Sequence, residues 1–308
     1  MSNEELVSSL VLDGYLKTAR IIQAFKKINR ADFVPEKYKK TAYSNEPLLI
    51  GEGQTISQPL TVAFMLELLD PQPEEKILDV GAGSGWQSAL LAEIVGESGR
   101  IFAAERLLKL KAFAEKNINK YGFIKKGIVK ILWEDGSKGV PLTLRPIEGF
   151  DKIIAAAAIY PRESAFGDLV PEAWKEQLKI GGRVVVPIGQ SIFVFDKTSA
   201  TEFEEKEYYG FSFVPLIVDW AGYWNPCPPS AEDRRFCERV KGIEPSLQPW
   251  EGRVLPLYYT RMLLPPRPVV NFGFSGLVSR SLKFYYWDIL IPPYCHLCPV
   301  LNEKFDFQ

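Results

Sequence analysis

The chain has 308 residues, a formal net charge of −1 and a pI near 6.1, enough length for one large domain or two small ones with a substantial core. The near-neutral balance and the absence of any basic run exclude an electrostatic case for a nucleic-acid partner. The acidic, polar start MSNEELVSSL does not read as a signal peptide and no apolar run is long enough to span a bilayer, so a soluble cytoplasmic protein is expected.

Apolar residues at helical spacing (Leu6, Leu10, Ile21, Ile22, Phe25, Ile28) predict two N-terminal helices, stopped at Pro35 and capping the sheet edge. Residues 43–59, YSNEPLLIGEGQTISQP, read as a loop in which Gly51 and Gly53 permit unusual backbone angles and Thr55 and Ser57 bring hydroxyls close to Pro59. Such a loop is more often a connection than a site, although binding residues favour loops on rigid scaffolds. A helix, LTVAFMLELL, leads to turns at Pro71 and Pro73.

The centre of the chain is KILDVGAGSGWQ. Lys76 to Val80 reads as a short apolar strand; Gly81, Gly83 and Gly85 make a tight turn, and SALLAEIVG continues as a helix. Strand, glycine turn and helix form the nucleotide-binding corner of an open α/β sheet. Glycine allows positive φ and leaves no Cβ in the way of a ligand. RIFAAE follows as a strand with Glu105 at its end, about twenty residues past the turn, the offset of a carboxylate that accepts ribose hydroxyls. Spacing alone leaves open the alternative of a carboxylate starting the next helix.

That helix is LLKLKAFAEKNINKYG, followed by the strand GIVKILWEDGS with Asp135-Gly136 at its carboxyl end. FDKIIAAAA is a fourth strand, PEAWKEQL a helix, and IGGRVVVPIG a turn into a fifth strand; SIFVFDK and YGFSFVPLIV read as closing antiparallel strands. The expected fold is α/β and Rossmann-like: a mostly parallel central sheet with helices on both faces and an N-terminal helical cap. The turn reads G-x-G-x-G, with Trp86 following, where the dinucleotide fingerprint has G-x-G-x-x-G. This and the antiparallel ending favour S-adenosylmethionine over NAD.

The segments LDVGAGSGWQSALLAEIVG, RIFAAER, DGS, FDKIIAAAA, LKIGGRVVVPIG and FSFVPL occur in the order and spacing of the protein-L-isoaspartate O-methyltransferase family. GQTISQP, before them, is the most specific, because general methyltransferases lack it. The resemblance covers roughly residues 5–218. It implies methylation of the free carboxylate of isoaspartyl residues in damaged proteins, after which the ester collapses to a succinimide that reopens partly to aspartate. The implied catalytic residue is Ser57, with Thr55, Ile56 and Val214 beside the substrate. The implied cofactor residues are Gly51, Gly53 and Gln54 in the loop, Asp79, Gly81, Gly83, Ser84 and Gly85 at the turn, Glu105 on the ribose, and Asp135 and Gly136 at the adenine. Isoaspartyl proteins and peptides are the implied partners of a monomer, with no metal. Trp86 stands where a tyrosine or aliphatic residue is common, and Ala155 to Ala158 with Ile159-Tyr160-Pro161 replace the more usual threonine–alanine–proline run. The competing readings are a methyltransferase for another carboxylate or small molecule, a non-catalytic cofactor-binding protein, and an NAD enzyme.

Beyond Trp220 the composition breaks. All four cysteines, the only histidine and about half of the prolines lie there, dividing the chain into a methyltransferase domain, 1–219, and an irregular tail, 220–308. Cys295-His296-Leu297-Cys298 suggests a metal half-site, but a closed zinc site needs four ligands and Cys227 and Cys237 lack the spacing of a paired knuckle. Arg239 to Arg261 reads instead as the translated complement of a transfer-RNA gene: Gly242-Ile243-Glu244-Pro245 can be written so that its complement carries a T-loop. An anticodon stem at Pro249 to Gly252 and a D-arm at Val254 to Leu257 follow in order. The tail is thus expected to be appended non-coding sequence, the alternative being a small accessory domain.

Overall fold

In a computed structural model of the chain, which describes residues 1–159 and 170–217, the apolar runs of the sequence form a seven-stranded sheet. The strands are β3 Lys76–Val80, β4 Arg100–Ala104, β5 Val129–Leu132, β6 Phe150–Ala155, β7 Leu178–Ile188, β8 Ser191–Lys197 and β9 Phe203–Tyr209, in the order β5-β4-β3-β6-β7-β8-β9. Strands β5 to β7 in that order are parallel; β8 and β9 are antiparallel to their neighbours. The chain moves from β3 outward through β4 to β5, then returns to place β6 on the other side of β3. This reversal opens a crevice at the carboxyl ends of β3 and β6, where open α/β sheets bind ligands.

Side chains alternate across the sheet. Ile77, Ile101, Ile154 and Val185 join a core beneath the N-terminal helices, whereas Leu78, Val80, Ile153 and Val184 pack with Trp174 on the opposite face. Helix α4, Trp86–Val95, buries nearly every side chain, as expected of a helix apolar all round. The reason is α2, Ala19–Lys27, which packs on α4, with α1, Asn3–Leu12, against α2. The N-terminal helices therefore cover a helix layer rather than the expected sheet edge. Helix α1 begins with a capping box in which Glu5 N donates to Ser2 Oγ (3.2 Å) and Ser2 N to Glu5 Oε2 (2.7 Å).

Three segments differ from expectation. Within 43–59 the chain forms a hairpin, β1 Leu48–Gly51 and β2 Gln54–Ile56, whose tip Gly51-Glu52-Gly53 has positive φ throughout. Strand β7 gains three residues opposite β6 between the pairs Phe150↔Leu178 and Lys152↔Arg183. The last strand is not YGFSFVPLIV but the preceding FEEKEYY, whose Glu204, Glu205, Lys206 and Glu207 are exposed. After it, Phe211 stacks on Phe64 of α3, Pro59–Leu69. Val214 to Leu216 then dock on the end of β6, with Ala158 N donating to Val214 O and Leu216 N to Ala158 O, both 2.8 Å. Among the described residues, no helix is long and apolar enough to cross a membrane. The tail 220–308, with its cysteines, histidine and suspected non-coding stretch, lies outside the described residues, as do Tyr160 and Pro161.

Candidate active site

The β3–α4 turn needs glycine. Gly81, Gly83 and Gly85 have φ of +82°, +56° and +87°, the left-handed region that side chains disfavour. Gly85 has a second constraint, since a Cβ there would lie 2.8 Å from Ile118 Cδ1 of α5, Leu108–Asn119. The turn is tied to β4 through Gly81 N, which donates to Ala104 O at 2.9 Å. Buried Asn117 donates from Nδ2 to Ser84 O at 3.0 Å.

One Glu105 carboxylate oxygen accepts from Gly83 N and the other from Leu107 N, both at 2.8 Å, so the side chain fastens the glycine turn to the residue before α5, which itself has no side-chain cap. Burial raises the pKa of Glu105, and the backbone donors pull the other way. Asp79 behaves otherwise: it is wholly buried and accepts from Gln87 Nε2 (2.7 Å) and Ser88 Oγ (2.5 Å), inside the first turn of α4. Burial pushes its pKa up to about 6 despite those donors. Asp135 accepts from Ser137 N and Oγ and caps the short turn Gly136–Lys138.

Two adjoining cavities occupy the crevice. The larger, about 560 Å³, lies between Gly81 and Gly83 of the turn, Glu105 to Leu107 beyond β4, Gly136, and Val214 to Ile217. The smaller, about 310 Å³, is bounded by Ile56, Ser57, Ser84, Trp86 and Gln87. Thr55, Gly81, Gly83 and Ala156 line both. Ser57 is half-buried, and no described residue hydrogen-bonds its hydroxyl.

Of the residues singled out in the sequence, Gln54, Glu105, Gly136 and Val214 thus line the first cavity, Ile56, Ser57 and Ser84 the second, and Thr55, Gly81 and Gly83 both. Asp79, Gly85 and Asp135 line neither and act behind the wall. Gly51 and Gly53 sit at the exposed hairpin tip, where Glu52 pairs with Lys109 of α5 at 2.9 Å. Ala157, in the run Ala155 to Ala158 singled out in the sequence, lines the first cavity, whereas sequence reasoning missed Leu107, Leu110, Glu134 and Gln87. Glu134 could have been found, since it adjoins the carboxyl end of a strand; Leu110 carries no signal beyond helical periodicity.

Comparison with known proteins gives the family and the fold. The model of the family Protein-L-isoaspartate(D-aspartate) O-methyltransferase matches residues 1–220. A protein-L-isoaspartate O-methyltransferase of Methanopyrus kandleri is 41% identical over 229 residues, 73% of this chain and 95% of its own. One from Aeropyrum pernix is 42% identical over 232 residues, 71% of this chain and 84% of its own. A solved structure named protein-L-isoaspartate O-methyltransferase superposes with a TM-score of 0.60 at 28% identity, over 69% of this chain and 65% of that one. The fold also matches, at 21% identity and a TM-score of 0.61 over 70% of this chain and 99% of that one, a Plasmodium falciparum chain. That chain is named a β-aspartate methyltransferase and was crystallised with S-adenosyl-L-homocysteine.

Proposed function

The chain belongs to the protein-L-isoaspartate(D-aspartate) O-methyltransferase family, and from that premise we propose that Ser57 orients the substrate carboxylate against a cofactor held at the β3–α4 turn. The protein is a methyltransferase that uses S-adenosylmethionine to methylate isoaspartyl carboxylates in damaged proteins. The residues present fit that cofactor. Glu105 takes backbone donors from Gly83, Leu107 and Arg106, and a carboxylate offers about four acceptor positions, so a ribose hydroxyl can still be accepted. Apolar Val80, Ala104, Leu107 and Leu110 around it suit a flat heterocycle. When bound, S-adenosylmethionine supplies a sulfonium methyl that a carboxylate oxygen can take.

The chain has little proton chemistry to perform. A carboxylate of pKa near ~4 is already ionised at neutral pH, which agrees with a body whose sequence before Trp220 has no histidine or cysteine. What the protein contributes is alignment, and orientation of reacting groups can lower a barrier by roughly 7–11 kcal/mol. The Ser57 hydroxyl, donating to one carboxylate oxygen, leaves the other to attack. The observation that carries this role is that Ser57 and the glycine turn line the same small cavity. Thr55 and Ile56 border the substrate from β2 and Val214 from the docked segment. Gln54 borders the cofactor cavity, with Gly51 and Gly53 shaping the hairpin that presents it; Asp79, Ser84, Gly85, Asp135 and Gly136 shape its bed. We further infer a cytoplasmic monomer that binds no nucleic acid, with residues 1–219 as the catalytic unit.

The test is methyl transfer from labelled S-adenosylmethionine to two peptides differing only in isoaspartate versus aspartate. Transfer to the isoaspartyl peptide alone is expected. Ser57→Ala should lower kcat about tenfold to a hundredfold, the loss of one hydrogen bond to a charged group, and leave S-adenosylhomocysteine affinity within about twofold. Equal loss of cofactor binding would overturn the orienting role.

A further inference from the structure

Arg30 is wholly buried although none of its hydrogen bonds goes to a carboxylate. Its Nη1 donates to Ala42 O (2.6 Å) and Ser44 O (3.3 Å), and its Nη2 to Glu46 O (2.8 Å) and Ser57 O (3.0 Å). The guanidinium carbon lies 5.2 Å from the centre of the Trp86 ring. One flat cation therefore touches the chain entering the β1–β2 hairpin, the chain leaving it at Ser57, and the first residue of the helix that follows the glycine turn. Those three segments are distant in sequence and carry the parts that a methyl transfer must align. Burial lowers the pKa of Arg30 to about 9, with Glu46 pulling upward, so the group is a cation at neutral pH.

We propose that Arg30 is a positioning residue for methyl transfer: it clamps the base of the hairpin and fixes Ser57 relative to the β3–α4 turn through the Ser57 carbonyl. This role rests on Ser57 orienting the substrate carboxylate. Arginine suits it, because a planar fork of donors can hold several carbonyls in one geometry whereas an ammonium is a point charge. Its indirect action also has a chemical reason. Methyl transfer forms a bond from the carboxylate oxygen to the methyl carbon and breaks the carbon–sulfur bond, turning an anion and a sulfonium into a neutral ester and a neutral thioether, so a cation bound directly to the carboxylate would stabilise the substrate more than the transition state. A cation whose Nη donors are spent on carbonyls avoids that penalty.

The discriminating experiment combines Arg30→Lys and Arg30→Gln with Ser57→Ala in the full chain. kcat and KM are measured for the isoaspartyl peptide well below each variant's melting midpoint, and S-adenosylhomocysteine affinity by calorimetry. Arg30→Gln should lower kcat about tenfold or more with product affinity within about twofold, and Arg30→Lys, which keeps the charge, should restore part of the loss. Combined with Ser57→Ala, either substitution should add little to the loss from Ser57→Ala alone, because both act on one contact. Losses that multiply, an equal fall in S-adenosylhomocysteine affinity, or failure of both Arg30 variants to fold would overturn the positioning role. Normal turnover by Ser57→Ala would instead remove the orienting role of Ser57, and the clamp with it.

Discussion

Asp79 illustrates how far a single residue can be read in advance. Its place at the end of an apolar strand is plain from the sequence, yet its side chain serves α4 and not the cavity, because its partners Gln87 and Ser88 lie on a helix whose rotation no local pattern fixes. Its raised pKa makes a testable statement. A folded-state pKa of about 6 against an unfolded value near 3.8 means that the folded protein holds this proton where the unfolded chain has lost it. The stabilisation is full below pH about 4 and is lost as the pH rises through about 6. Melting curves at pH 4 to 7 should therefore show wild type losing stability relative to Asp79→Asn across that window, with a constant difference above it; a pH-independent difference would count against a buried titrating carboxyl. Glu105 was legible by its offset from the glycines. Arg30 was not: an arginine whose partners are backbone carbonyls leaves no mark in the sequence, and its segment read only as a helix stop.

At the scale of elements, the strand–turn–helix corner was legible because its backbone requirements admit few residues. Gly85 carries two requirements and Gly122 only one: both have positive φ, but a Cβ at Gly122 would meet nothing within 4 Å. Gly122→Ala should cost about 1–2 kcal/mol, the left-handed penalty alone. Gly85→Ala should cost that plus about 1–3 kcal/mol for overpacking against Ile118 and Ala114. Urea unfolding of the two variants checks the difference, and equal losses would show that α5 simply moves aside. The hairpin and the final strand were misjudged for a common reason. Leu48 to Gly51 is too short for its alternating burial to stand out among polar neighbours, and FEEKEYY lacks the apolar face expected of a strand. Pairing with β8 along its whole length makes it one; the more apolar FSFVPL only docks on β6 and the site.

For the whole molecule, the succession of β and α units indicated a doubly wound sheet, while strand order had no local signature. The family match to residue 220 and a site whose last lining residue is Ile217 predict that a stop after residue 219 leaves kcat/KM for an isoaspartyl peptide within about twofold of the full chain. A larger loss would make residues 220–308 part of the enzyme. At the far side of the sheet, among the described residues, β9 is the edge strand, and it faces outward with two consecutive glutamates, a lysine and a third glutamate. Bare strand edges recruit other extended chains, and charge is a common deterrent. Charge along β9 therefore discourages an extended chain brought to the crevice from pairing with this edge instead.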